Sequence, residues 1–149
     1  METYTDTVGT KLNLLLEKNY DAEKGYRNAI ENVQNEELKK FFSKKSSERS
    51  SFAQDLKTEI ASFNQDADQS GSVLGDIHRV WMDLKSTFSS NNDEAVLEEA
   101  IRGEKAAIEE YNSVLSETAL PKSTKTLLES QKRKIEVDLA SVKVFEFLH

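Results

Sequence analysis

The chain has 149 residues, enough for one domain with a sizeable core, and a net charge of −7 from 27 acidic and 20 basic side chains. That acidity argues against a nucleic-acid or anionic-membrane surface, and the lack of any cysteine excludes a disulfide framework and thiolate metal sites. One proline, five glycines and an abundance of Glu, Lys, Leu and Ala predict long helices in a single all-α domain over 1–149. No apolar run approaches the roughly 18 to 20 residues that span a bilayer, and the start lacks the basic and apolar regions of a signal peptide. The expected location is the cytoplasm, with neither nucleic acid nor membrane as a partner.

The first helix is expected over about 7–34, capped by Thr5, Asp6 or Thr7. Its stripe is Leu12, Leu16, Asn19, Glu23, Tyr26, Ile30 and Val33, stepping by three and four as a bundle seam does. Gly25 costs about 1 kcal/mol against Ala inside a helix, so a close helix contact is expected there. A short turn at Gln34-Asn35-Glu36 sends the second helix, about 36–65, back antiparallel. Leu38, Phe41, Phe42, Phe52, Leu56, Ile60 and Phe63 form its apolar stripe, and the phenylalanines read as core. Between Ser43 and Ser51 there is no large apolar residue; Lys45, Glu48 and Arg49 occupy or flank the seam instead.

After a polar loop, Val73, Leu74, Ile77, Val80, Trp81, Leu84 and Phe88 trace a short amphipathic helix over about 72–88, read as part of a long crossover. His78 and Arg79 are a candidate polar site on it, although Trp81 packing on the bundle is the plainer expectation. The next helix, about 93–117, carries Leu97, Ile101, Glu104, Ile108, Tyr111 and Leu115 on one face, with an acid in the middle of an apolar stripe. A turn containing Pro121 leads to the last helix, about 123–147, whose inward residues are Leu128, Gln131, Ile135, Asp138, Leu139, Val142 and Phe145. The terminal His149 is expected to be unstructured.

Counted from the turns, Glu23 and Glu48 lie at matching heights, and so do Glu104 and the pair Glu136 and Asp138. A buried carboxylate must be paired, protonated or bound to metal. In one reading these acids form an ionic cluster with Arg49, Arg27, Lys45 or Arg102, helped by hydrogen bonds from Tyr26 and Tyr111. In the other, Glu23, Glu48, Glu104, Glu136 and Asp138 are candidate metal ligands at the bundle centre. No Gly-rich phosphate loop, nucleophile elbow or Cys/His arrangement is present.

Two antiparallel hairpins joined by a long crossover are the ferritin-like form of the four-helix bundle, whose di-iron members converge Glu and Glu-x-x-His residues on the metals. The strings Asp21-x-Glu23-x-Gly25-Tyr26, His78-Arg79-x-Trp81 and Arg102-Gly103-Glu104 resemble an uncharacterised bacterial family of such bundles, a domain of unknown function. The resemblance runs from about Leu12 to Val142 and implies an up-down bundle with a short fifth helix in the crossover. It also implies descent from a di-metal protein. The histidines of the motif are missing, however: Ser51 and Leu139 stand where Glu48 and Glu136 would be followed by His. Oxygen donors alone still suit Mn²⁺ or Mg²⁺ better than Fe²⁺ or Zn²⁺.

The expectation is therefore a non-enzymatic structural, binding or stress-associated protein with a degenerate site and no cofactor. The alternative is an iron- or manganese-binding protein or oxidoreductase. A homodimer through the bundle faces is the partner that the pattern allows.

Overall fold

The computed structural model describes residues 4–62, 93–117 and 119–148. Among the described residues there are four helices, α1 (Tyr4–Asn32), α2 (Glu36–Ala61), α3 (Asp93–Glu117) and α4 (Lys122–Leu148), and no strand. The crossover helix expected over about 72–88, with His78, Arg79 and Trp81, lies outside the described residues, as do Phe63 and His149. None of the four described helices is long and apolar enough to cross a membrane.

Helix ends are set by side chains that satisfy free backbone groups. Asn35 caps α2, its Oδ1 accepting from the amides of Glu37 and Leu38 at 2.8 and 3.0 Å, and Glu36 and Glu37 favour the positive end of the helix dipole. Asp93, at the start of α3, accepts from the amides of Gln34 and Asn35 at 2.8 and 2.9 Å, pinning that start to the α1–α2 turn. At the other end of the molecule Glu59 near the end of α2 accepts from Thr124 Oγ1 (2.5 Å) and Ser123 Oγ (3.2 Å) at the start of α4. Hence α3 begins at the end opposite to where α2 stops. The two run parallel to each other and antiparallel to α1 and α4. The expected cap of α1 at Thr5–Thr7 is corrected, because the helix already includes Tyr4 and those residues lie inside its first turn.

The core falls into two apolar clusters. One, beside the α1–α2 turn, contains Tyr26, Val33, Leu38, Phe42, Val96 and Val142. The other, at the far end, contains Leu12, Leu16, Phe52, Leu56, Val114 and Leu128. Tyr26 and Phe42 stack at 5.7 Å in the first, a geometry that adds to area burial alone. Between the clusters, Lys45, Arg49, Asn19, Glu104 and Gln131 are buried.

The buried seam of α1 passes through Ala22, Tyr26, Ala29 and Val33, with Glu23 only half-buried at its margin. The expected stripe is buried at Leu12, Leu16, Asn19, Tyr26 and Val33, while its members Glu23 and Ile30 stand at the edge, beside the buried Ala22 and Ala29. Alanine suits the crowded side of a helix pair, and here Ser46 of α2 reaches the Glu23 carbonyl at 3.3 Å, so the α1 and α2 backbones approach closely beside the buried Gly25.

Candidate functional site

A continuous polar layer crosses the bundle at mid-height and draws on all four helices. At one side Gln131 (α4) donates to the Phe52 carbonyl at 3.3 Å and accepts from the Tyr111 hydroxyl (α3) at 2.7 Å. Asn19 (α1) donates to the same hydroxyl at 3.0 Å and to the Leu15 carbonyl at 2.8 Å. Its Oδ1 accepts from Arg49 Nη1 (α2) at 2.9 Å. Arg49 Nη2 in turn donates to Glu104 Oε1 (α3) at 2.9 Å, and the Tyr26 hydroxyl (α1) donates to the same oxygen.

Beyond Glu104 lies the ammonium of Lys45. Its Nζ is 2.6 Å from Asp138 Oδ2, 3.1 Å from Glu48 Oε1 and 3.3 Å from Glu104 Oε2. Lys45, Arg49 and Glu104 side chains are only 1 to 2% exposed, so each ion would be prohibitively costly there without the others. Glu48 and Asp138 are at the solvent edge of the layer, beside a cleft of 280 Å³ that Ser130, Arg133, Lys134 and Val137 complete.

Proton affinities follow from this arrangement. Burial alone would raise Glu104, but the charges of Arg49 and Lys45 and the hydrogen bonds from Tyr26 and Arg49 outweigh it and hold the carboxyl below its ordinary value. Asp138 behaves likewise: burial raises it, while hydrogen bonds from Glu48 and Lys45 and the charges of Lys45 and Lys44 bring it down. Glu48 moves the other way, pushed up from 4.5 to about 7 by burial and by sharing a proton with Asp138, against the pull of Lys45. Burial, aided by Glu104, also raises the Tyr26 hydroxyl, and burial pushes Tyr111 up to about 12, so both phenols stay protonated donors. With Glu48 protonated, the two cations Lys45 and Arg49 face two carboxylates, Glu104 and Asp138, and the layer is neutral.

Of the five acids singled out in the sequence, Glu48, Glu104 and Asp138 converge on one ammonium. Glu23 does not join them; it pairs with the exposed Arg27 one turn on. Glu136 is exposed and lines an open groove of 840 Å³ between α3 and α4, near Lys132 and Arg133. A di-metal centre does not fit this donor set. The cation position among the carboxylates is held by the Lys45 ammonium, Arg49 occupies Glu104 Oε1, and no imidazole reaches the layer among the described residues. Nor are any three His, Cys, Asp or Glu side chains grouped to hold a metal ion among those residues.

Sequence patterning had flagged Asn19 and Gln131 as stripe positions without giving them a role. The usable signal was their polarity on otherwise apolar faces, since a buried amide must find partners. Lys45 carried a weaker signal, a gap in the apolar stripe of α2.

The family model of a domain of unknown function (DUF2383) matches residues 7–117, which run from the first turns of α1 to the end of α3. No curated protein matches the chain.

Proposed function

The chain belongs to the family of the domain of unknown function DUF2383, and from that premise we propose a ferritin-like bundle that acts as a non-enzymatic structural or binding protein, including a stress-associated one. Support for the ferritin-like relationship comes from the parallel run of α2 and α3, which both start at the end of the molecule that holds the α1–α2 turn, so that a long crossover must join them. Support for a non-enzymatic role comes from one observation above all: Lys45 and Arg49 neutralise the carboxylates of Glu104 and Asp138, and the Glu48 carboxyl is bound to the same Lys45 ammonium, so none of the three is left open to a substrate or ion. In this reading the layer locks helix register, the best-attested use of buried ionic groups. A cytoplasmic location and a homodimer through the bundle faces belong to the same reading.

The test is metal content of protein purified without chelator, followed by titration with Fe²⁺ and Mn²⁺. No stoichiometric metal and no change of melting temperature on adding chelator are expected. Stoichiometric binding that Glu104→Ala or Glu23→Ala abolishes would establish the alternative, a metal-binding or oxidoreductase bundle built on Glu23, Glu48, Glu104 and Asp138 or Glu136.

A further inference from the structure

We propose that Lys45 is the residue that decides against metal in this layer: its ammonium stands in a cation position built by Glu48, Glu104 and Asp138, and removing it opens that position to one hard divalent cation. The proposal rests on the metal-free reading of the native protein and adds a cause for it.

The contacts of Lys45 are those of a bound cation. Carboxylate oxygens from three helices lie 2.6 to 3.3 Å from Nζ. The hydrogen bonding of Glu104 marks the same spot. Glu104 Oε2 is fully buried and makes no hydrogen bond, whereas its sister Oε1 is bound by both Tyr26 and Arg49. That oxygen is aimed at the Lys45 ammonium through charge alone, 3.3 Å away.

Charge decides which ion would follow. Without Lys45, an ion that displaces the Glu48 proton meets three carboxylates and Arg49, two net negative charges in a buried place. A divalent cation restores neutrality, whereas a monovalent one does not. An all-oxygen donor set selects a hard ion, Mn²⁺, Mg²⁺ or Ca²⁺, over Zn²⁺ or Cu²⁺. Access is already present, because Glu48 and Asp138 border the cleft between α2 and α4.

The experiment titrates Mn²⁺ into wild type, Lys45→Ala and Lys45→Ala/Glu104→Gln, followed by electron paramagnetic resonance and by melting temperature. Expected are no uptake by wild type, uptake of about one Mn²⁺ per chain by Lys45→Ala with a rise in melting temperature, and loss of both in the double variant. A folded Lys45→Ala protein that ignores Mn²⁺, while wild type does too, overturns this inference and leaves the metal-free reading standing. Uptake by wild type that Glu104→Gln removes overturns both. Should Lys45→Ala fold only with Mn²⁺ present, the proposal is supported. Should it fold under neither condition, Lys45→Gln is titrated in its place, and a folded Gln variant without Mn²⁺ binding overturns the inference.

Discussion

At the scale of single residues, Glu48 carries the clearest consequence. Its folded-state pKa of about 7 stands above the ordinary 4.5, so the folded chain keeps a proton that the unfolded chain has released. That contribution to stability is complete below pH 4.5 and is lost as pH rises through about 7. Glu104 and Asp138 act in the opposite sense: their pKa values are depressed, so their contribution holds above the unfolded values and is lost as pH falls through the folded ones. Stability should therefore peak near pH 5 and decline toward pH 7.5 by about 1 kcal/mol, discounted because Glu48 is only partly buried. Urea midpoints across that range should show the decline in wild type and not in Glu48→Gln; equal slopes in the two would refute the assignment. Glu48 was visible in the sequence as an acid in a seam, yet its proton was not. That property depends on burial within the folded bundle and then on Asp138, which reaches it from a helix distant in the chain.

At the scale of elements, most of the helices could be read from spacing, because long runs without proline or glycine leave few other options. The α3 stripe of Leu97, Ile101, Glu104 and Tyr111 is buried, and Leu128, Gln131, Ile135, Asp138 and Val142 of α4 are buried as expected. The α1 stripe is buried at Leu12, Leu16, Asn19, Tyr26 and Val33 but not fully at Glu23, because alanine is at home both in a core and on a surface, and only the neighbouring helix shows that Ala22 turns inward while Glu23 stays at the edge. Caps carry a further expectation. Asn35 and Asp93 between them satisfy four amides where α1, α2 and the start of α3 meet. Either Asn35→Ala or Asp93→Ala should cost about 1 kcal/mol, the usual cost of a lost cap, measured by urea denaturation. Hydrogen exchange should localise the Asp93→Ala effect to the α1–α2 turn and the first turn of α3. Uniform acceleration across the molecule would instead mean that this corner holds the whole bundle together.

For the whole molecule, the polar layer divides one core into two, and the division is a choice between stability and specificity. Leu12, Leu56 and Leu128 at one end and Val33, Leu38 and Val142 at the other would pack into a single apolar column if the layer were apolar too. Sliding one helix by a turn would then cost little, since one aliphatic contact replaces another. With the layer in place, the same slip separates Arg49 from Glu104 and Lys45 from Asp138, leaving charges buried alone. Two variants separate these contributions. Arg49→Met removes one partner and strands Glu104, which keeps a buried charge and loses its strongest cation; the expected loss is about 3 to 5 kcal/mol. Tyr26→Phe/Arg49→Met/Glu104→Met removes the donors together with the acceptor, and its stability should equal or exceed wild type by about 1 to 4 kcal/mol. If register is what the layer supplies, the triple variant should also broaden its side-chain methyl resonances and lower its cooperativity of unfolding despite the gain. A triple variant as destabilised as Arg49→Met, or one as sharply ordered as wild type, would remove register control as the reason that this bundle keeps charges at its centre.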